Sequence, residues 1–237
     1  MSFSSTLPIY IGYEEREHDA YEVCRYSILR NSRYFWGESP QIHKLRSQDI
    51  KSYHRDHGEP QSTDFTFTRF WVPWMENFKG FSVFVDCDFL FLDSVYGLLE
   101  EIDEDKAVSV VKHPEYVPLK DLKMDGIPQH KSARKNWASL MVFNNEHPKN
   151  RILIPQYLNE HVPGLDFHHF KWLDDEDIGE LPLDWNCLDQ YYKLRSPKAI
   201  HYTEGGPWFG PEFNDTEYGH VWNEYNMMRI SEQHEWQ

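Results

Sequence analysis

The sequence predicts an α/β domain with a mostly parallel central sheet flanked by helices. Short apolar segments of strand length alternate along the chain with longer, partly helical connections, which is typical of this class. The 237 residues suffice for one sizeable core, and they contain no low-complexity linker and no repeat period. We therefore expect residues 1–237 to form a single domain whose ligands bind beyond the carboxyl ends of the strands.

The first element is an apolar strand over residues 7–13 that reaches its turn at Gly12. Residues 14–17 are mainly acidic and lead into a segment with apolar residues at helical spacing. Acidic side chains at a helix start complement the helix dipole, so we expect a strand, a turn and a helix in that order. A glycine at this point would let the backbone bend where a ligand approaches, although it is also an ordinary turn residue.

Two further segments precede the most informative part of the chain. Residues 32–60 are polar and predict irregular structure. Residues 65–78 carry aromatic residues at a helical period, which predicts a helix with a candidate kink at Pro73.

An apolar run over residues 81–92 is interrupted only by Asp86 and Asp88 around Cys87. Such a run predicts an interior strand, with both carboxylates on the same side of the extended chain and Cys87 facing away. Buried carboxylates need a compensating cation or hydrogen-bond donors, and Mg²⁺ or Mn²⁺ with diphosphate oxygens fits this donor type. The alternative is that Asp88 caps a turn and Asp86 closes the strand.

Three later segments predict further strands, at residues 107–112, 138–144 and 199–202. Their alternation with longer connections favours a parallel arrangement. We therefore expect His201 to lie at the same edge of the sheet as Asp86 and Asp88.

Composition excludes several classes of protein. A formal net charge of −15 argues against nucleic-acid binding, which requires a basic face. The sequence has no apolar run of membrane-spanning length and no signal-peptide pattern, and its three cysteines are far apart. We predict reduced thiols and a cytoplasmic location. An anionic substrate must then be met by a metal or by a locally basic site.

Five short stretches, in this order, resemble one known family. They are Pro8-Ile9-Tyr10-Ile11-Gly12-Tyr13; Phe67-Thr68-Arg69-Phe70-Trp71-Val72-Pro73; Asp86-Cys87-Asp88; Asn136-Trp137-Ala138-Ser139-Leu140-Met141-Val142-Phe143-Asn144; and residues 181–186 followed by His201-Tyr202-Thr203-Glu204-Gly205-Gly206-Pro207-Trp208. On these residues nearly the whole chain resembles the nucleotide-sugar glycosyltransferases of the GT-A fold, close to the retaining family 8 enzymes.

The resemblance implies a single Rossmann-like GT-A domain and a metal-dependent reaction. In such enzymes a sugar moves from a nucleoside diphosphate sugar, here expected to be a UDP-sugar, to a hydroxyl of a glycan, lipid-linked or other acceptor, with retention at the anomeric carbon. Asp86, Asp88 and His201 would hold Mn²⁺ or Mg²⁺. A neutral imidazole is a competent ligand for Mn²⁺, although His201 taken alone would more often be an ordinary core histidine.

The resemblance also implies contacts to the donor and acceptor. Gly12 and Tyr13 would surround the nucleobase, and Asp175 with Glu176 would act near the anomeric carbon, although this acidic run also fits a solvated helix start. Arg69 would reach the phosphate or sugar, unless it pairs with a structural carboxylate. The remaining implied contacts are Asn136 and Ser139 to the donor sugar, Asn186 to sugar or acceptor, and Gly205 and Gly206 to the diphosphate.

One position departs from the family pattern. A lysine that contacts the phosphates usually precedes the Pro-Trp pair, and this chain has Gly206 there. Backbone N–H groups of a glycine-rich loop could still bind the diphosphate, but the charge is missing. Candidate replacements are Arg69, Lys112, Lys131, Arg134 and Lys135.

Two other functions remain open at this level. Sugar nucleotidyltransferases combine a similar sheet with metal-binding carboxylates, but they usually begin with a glycine-rich basic loop, whereas residues 12–16 are acidic and poor in glycine. A non-catalytic carbohydrate-binding or scaffold protein is the second alternative, because nine tryptophans are compatible with sugar stacking.

Overall fold

The computed structural model describes residues 7–36, 40–114 and 134–232 of the chain. The strands are β1 (Pro8–Gly12), β2 (Gln41–Leu45), β3 (Phe81–Val85), β4 (Phe89–Phe91), β5 (Val108–Val110), β6 (Leu140–Asn144), β7 (Ile178–Glu180), β8 (Cys187–Leu188) and β9 (Ala199–His201). The α-helices are α1 (His18–Trp36), α2 (Val72–Met75), α3 (Leu98–Glu101), α4 (Pro155–Glu160), α5 (Leu165–His168) and α6 (Gly219–Ser231).

A six-stranded sheet in the order β2-β1-β3-β6-β5-β7 forms the centre of the fold. Strand β1 is parallel to β2 and β3, and β5 is parallel to β7. Strand β6 is antiparallel to both of its neighbours, β3 and β5. The prediction of a mixed α/β fold with a mostly parallel sheet is therefore confirmed.

The apolar run over residues 81–92 forms two strands rather than one, and Asp86 directly follows the first of them. Strand β3 belongs to the central sheet, whereas β4 pairs antiparallel with β9 in a second, three-stranded sheet of order β4-β9-β8. The chain changes sheets at Asp86-Cys87-Asp88. Both strands are buried and apolar. Residues 81–92 therefore form one apolar run in the sequence, although the two strands belong to different sheets.

Residues 32–60 were expected to be irregular, but they contain β2. This strand lies at the edge of the central sheet, where Ile42 pairs with Ile9. Leu45 is its only buried residue, and an edge strand with one covered position has no apolar run to reveal it.

The helix expected over residues 65–78 is much shorter. A 3-10 turn at Thr68–Trp71 leads into α2, whose first turn contains Pro73, so the proline begins this helix rather than kinking it. Asn77 and Phe78 then adopt left-handed backbone angles, which end the helix. The aromatic residues are buried on several sides, and Phe70 and Trp71 are fully covered.

Helix α1 follows a 3-10 turn at Glu15–Glu17 and confirms the strand-turn-helix prediction for the start of the chain. It packs against β4 and α6, where Val23 joins Leu90, Ile200 and Trp222 in a smaller core beside the main one. This smaller core supports the strand that ends at His201. Among the described residues, no helix has the length and apolar character needed to cross a bilayer.

Candidate functional site

Asp86, Asp88 and His201 converge where the two sheets meet. One ligand atom from each lies within 4.8 Å of the others. Asp86 follows β3 directly, and its backbone N–H donates to the carbonyl of Ser139 at 2.9 Å. Asp88 precedes β4, whose pairing with β9 places Phe89 opposite His201, and the N–H of Tyr202 donates to the Asp88 carbonyl at 3.0 Å. Strand pairing therefore fixes the three side chains relative to one another.

The orientation of the His201 ring follows from its contact with Asn186. The Asn186 amide nitrogen donates to the Asn136 carbonyl, which can only accept, and to the Ser139 hydroxyl at 3.0 Å. The Asn186 carbonyl oxygen therefore faces Nδ1 of His201 at 3.0 Å. In neutral His201 the proton is thus on Nδ1, and the lone pair of Nε2 points toward the carboxylates.

The donor atoms of this cluster fit a cation. Nε2 of His201 lies 3.3 Å from Oδ2 of Asp88, and two lone pairs at this distance repel each other unless a proton or a cation lies between them. Two carboxylates and one imidazole form a donor set that suits Mn²⁺ and, with more oxygen ligands, Mg²⁺. The residues therefore fit the metal that the sequence predicts.

Burial and charge shape the electrostatics of Asp86. Burial, together with the charge of Asp88, raises its pKa to about 6, although the nearby Arg69 guanidinium opposes the increase. Nη1 of Arg69 lies 2.9 Å from Oδ1 of Asp86 and also donates to the Ala138 carbonyl at 2.8 Å. Arg69 thus does pair with a carboxylate, and it also lines the cavity described next.

A cavity of about 800 Å³ opens above the cluster. The predicted site residues that line it are Arg69, Asp86, Asp88, Asn136, Ser139, His201 and Gly205. The structure brings these seven together from separate parts of the chain, as the sequence predicts. Within the described part of the chain, the other predicted site residues, Gly12, Tyr13, Asp175, Glu176, Asn186 and Gly206, lie outside this lining.

Gly12 and Tyr13 lie next to the cavity rather than at its surface. A Cβ at Gly12 would stand 2.5 Å from the ring of Phe65, a cavity-lining residue, so only glycine allows this approach. The Tyr13 hydroxyl donates to Glu15 at 2.9 Å, and Nζ of Lys44 lies 4.1 Å from the centre of its ring. The contact of both residues with a nucleobase stays a prediction.

Asp175 and Glu176 belong to a 3-10 turn at Asp175–Asp177, which a capping box with Asp174 begins. The Asp175 side chain is 84% exposed and forms an ion pair with Arg134. This position matches the solvated helix start that the sequence also allowed. A role of either residue in the reaction stays a prediction.

The glycines of the closing motif differ from each other. Gly205 lines the cavity and has a left-handed φ of +97°, which favours glycine. Gly206 is covered by Trp208, since a Cβ there would lie 2.1 Å from the indole ring. Lys112 donates to the Ile178 carbonyl and lies outside the lining, and Lys131 lies outside the described residues.

Two parts of the cavity wall are not among the predicted site residues. Arg16 and Glu17 line it, although they read as an ordinary acidic helix start. Burial and, to a smaller extent, the charge of Asp88 raise the pKa of Glu17 to about 7. The second part comes from residues 59–67 and 163–169. The Gly164 N–H joins these two segments by donating to Glu59, which also forms an ion pair with Arg55 in its own loop. Arg55 is a buried charge in a loop whose other residues are exposed or half-buried, and nothing in the residue spacing marks it.

Comparison with known proteins gives one relative of clear sequence similarity, and no family model matches the chain. Protein CDI of Arabidopsis thaliana is 40% identical over 229 residues, which cover 92% of this chain and 86% of that protein. The chain belongs to the family of Protein CDI. Because the alignment spans most of both chains, family membership applies to the whole described fold.

Several solved glycosyltransferase structures are similar to this fold. An active-site mutant of LgtC aligns with a TM-score of 0.59 at 11% identity, covering 94% of this chain and 96% of that one. GlyE of Streptococcus pneumoniae TIGR4 aligns with a TM-score of 0.57 at 13% identity and 94% coverage, and the bifunctional WbbM with 0.55 at 15% and 96%. The chain spans 61% of GlyE and 53% of WbbM. This member of the CDI family therefore has the GT-A glycosyltransferase fold.

Proposed function

We propose that the protein is a metal-dependent glycosyltransferase that transfers a sugar from a nucleoside diphosphate sugar, most simply a UDP-sugar, to an acceptor hydroxyl with retention. The observation that carries the proposal is the convergence of Asp86, Asp88 and His201 at the base of an 800 Å³ cavity in a GT-A fold. LgtC, which shares the fold, is described as a galactosyltransferase and has been solved with donor and acceptor sugar analogs.

The metal site would be held by the three converging side chains. A bound Mn²⁺ or Mg²⁺ would neutralise negative charge on the nucleoside diphosphate leaving group. Asn186 keeps Nε2 of His201 directed at the carboxylates, and Arg69 holds Asp86 in place through their 2.9 Å contact. The chain thus supplies a preorganised site for an anion that binds together with a cation.

The sugar would lie on the wall formed by Asn136 and Ser139. Asn136 has a left-handed φ of +64°, and its side-chain amide nitrogen is buried beside the cavity without a hydrogen-bond partner. A sugar hydroxyl is a suitable acceptor for this group.

Gly12 and Tyr13 would border the nucleobase. Asp175 could stabilise positive charge at the sugar ring only after its ion pair with Arg134 breaks and its carboxylate contacts the substrate instead.

Nucleotide binding tests the proposal directly. Calorimetric titration of UDP, GDP, CDP and ADP, with and without Mn²⁺, should show metal-dependent binding of one nucleotide, and Asp88→Asn should abolish it. Asp93→Asn is the matched control, because Asp93 is a similarly covered carboxylate that bonds the Ser94 N–H outside the cavity. If none of the four nucleotides binds, the proposal fails, and a carbohydrate-binding or scaffold role becomes the better explanation.

Retention and location are tested separately. NMR of the product formed from the nucleotide sugar gives the anomeric configuration, and inversion would refute the proposed stereochemistry.

We also propose a cytoplasmic location, supported by the buried, free thiols of Cys24, Cys87 and Cys187. Imaging of the tagged full chain tests this location.

A further inference from the structure

Exposed large apolar side chains are concentrated in one short stretch of the chain. Six such side chains are exposed among the described residues, and four of them fall within residues 152–165. They are Ile152 (44% exposed), Ile154 (40%), Val162 (53%) and Leu165 (55%), which we call the apolar strip. Single exposed apolar residues are common on protein surfaces, whereas a cluster of them indicates a surface that binds something apolar.

A groove of about 350 Å³ lies along helix α4, at one end of the apolar strip. Ile152 and Ile154 line the groove before the helix begins, and His161 lines it just after the helix ends. Tyr157 contributes an aromatic ring between them. Pockets of a few hundred Å³ with mainly apolar walls are the usual binding sites of small organic groups. The groove therefore has room for a hydrocarbon group.

The backbone beside this groove is held firmly in place. Leu153, which separates the two isoleucines of the strip, is fully buried. In α4, the Asn159 side chain accepts from the N–H of His54 at 3.0 Å and donates to the Ser52 carbonyl at 2.9 Å. The exposure of the isoleucines is therefore a property of the packed fold and does not result from a loosely attached segment.

Helix α5 joins the groove to the cavity above the metal cluster. Its Phe167 ring lies 5.6 Å from the Tyr157 ring and 5.4 Å from the His161 ring, both of which line the groove. Nε2 of His161 also lies 3.0 Å from Oδ2 of Asp166 in the same helix. Leu165, the first residue of α5, lines the cavity. Because Leu165 is also exposed, the apolar strip reaches the mouth of the cavity.

The cavity wall continues this apolar surface inward. Pro163 and Leu165 line it, together with Pro60 from the neighbouring segment. The candidate metal ligands come from other elements, the connection between β3 and β4 and the end of β9. An acceptor that enters past Leu165 toward a donor bound at those ligands thus has the apolar strip beside it.

The charge of the chain distinguishes the possible occupants of the strip. The formal net charge is −15, and Glu160 adds a carboxylate to the lining of the groove itself. An anionic bilayer surface and a second copy of this chain both carry charge of the same sign, so they are repelled. A single molecule with an uncharged hydrocarbon group is not.

From these contacts, we propose that the acceptor is amphiphilic, with a hydroxyl-bearing end that enters the cavity and a hydrocarbon group that lies along the apolar strip and in the groove beside α4. This assignment rests on the proposed function, because it names the class of acceptor for the transferase. Each methylene group that leaves water for the strip should strengthen binding. Affinity should therefore rise with the length of the hydrocarbon group.

Methyl and n-octyl β-D-glucoside, which share one sugar, test this expectation when they are titrated into the full chain by NMR below the micelle concentration. The octyl compound should bind at least about tenfold more tightly. Ile154→Ser combined with Leu165→Ser should remove most of this gain, and Val162→Ser alone a smaller part, because these exposed positions lie outside the core. The matched control combines Met227→Ser with Ile230→Ser, the other two exposed large apolar side chains, which lie on α6 away from the groove and the cavity lining. The control should keep the full gain.

The outcomes separate this acceptor class from the proposed function. Equal affinities of wild type for the two glucosides, or a gain that the strip variant keeps or the α6 variant also loses, would overturn the amphiphilic acceptor and leave the transferase proposal standing. A wild-type dimer that the strip variant converts to a monomer in sedimentation would assign the strip to a second copy and overturn ours. Equal glucoside affinities together with strip-dependent binding to phosphatidylcholine–phosphatidylserine vesicles would assign it to a membrane. Wild-type protein that binds none of the four nucleotides would overturn both proposals.

Discussion

The carbonyl oxygen of the Asn186 side chain lies 3.0 Å from Nδ1 of His201 and determines which nitrogen of the ring faces Asp88. The family resemblance implied a contact of Asn186 with the sugar or the acceptor, which stays a prediction. The structure places it behind the ring, fully buried, so its effect on a bound metal would be indirect.

Asn186→Ala should lower Mn²⁺ affinity by about 10- to 100-fold, because the His201 ring loses the acceptor that fixes its tautomer. Calorimetric titration of Mn²⁺ measures the change. Asn150→Ala is the matched control, since Asn150 is equally buried and donates to the carbonyls of Ala107 and Asn144 far from the metal ligands. That variant should lose stability and keep its Mn²⁺ affinity. Equal losses of affinity in both variants would contradict the assignment.

Glu17 should make the metal-free protein less stable above about pH 7 than below about pH 4.5. Its pKa is raised from an ordinary value of 4.5 to about 7 by burial and by Asp88, so the folded state binds a proton that the unfolded state has already released in this range. The free energy of unfolding therefore falls as pH rises from about 4.5 to about 7, and the loss is complete above that pH.

Glu17→Gln removes this titration and keeps an acceptor for the Cys87 thiol, which donates to Glu17 at 3.2 Å. The variant should gain up to about 3 kcal/mol over wild type at pH 8, and much less at pH 5. Urea unfolding at the two pH values measures the difference. A gain that is the same at both would show that Glu17 is not the titrating group.

The contact between Gly12 and Phe65 predicts strong coupling between the two positions. Gly12→Ala should cost about 1–3 kcal/mol of unfolding free energy, because the new Cβ would meet the Phe65 ring. Phe65→Leu makes room, so the double variant should be more stable than the sum of the single effects predicts. Strictly additive losses in urea unfolding would exclude this steric explanation.

The thiols should be unreactive in the native protein. Burial raises the pKa of Cys24 and Cys87 well above the usual thiol value and also raises that of Cys187. Reactivity depends on the thiolate, so a colourimetric thiol reagent at pH 8 should label the protein slowly when native and rapidly in urea. Fast labelling of the native protein would show that at least one thiol is accessible.

The acidic pair of the candidate metal site could be predicted because it is conspicuous in the sequence, whereas His201 was assigned to the site only through the resemblance to a known family. Asp86 and Asp88 are the only charges in a long apolar run, and His201 ends a short strand. The change of sheet between β3 and β4 could not be predicted, since it depends on the pairing of β4 with β9 far along the chain. The local sequence pattern of β4 carries no information about which strand it pairs with.

The cavity wall was harder to predict than its base. Arg16 and Glu17 have the composition of a helix start, and only the approach of the chain to Asp86 and Asp88 places them at the cavity. Likewise, Glu59, which pairs with Arg55, accepts from the N–H of Gly164 in a loop that is distant in sequence. Predicting such contacts requires the tertiary arrangement, which residue spacing does not contain.

The change of sheet at Asp86-Cys87-Asp88 has a consequence for the stability of the whole molecule. Asp86 continues a strand of the central sheet, whereas His201 belongs to the three-stranded sheet. An ion held by both side chains would tie the two sheets together, and pulling them apart would require its release. Thermal unfolding should then shift upward with metal concentration. In a cell, the chain without its ion would be the form that unfolds and is degraded first, so metal supply would regulate how much of the protein persists.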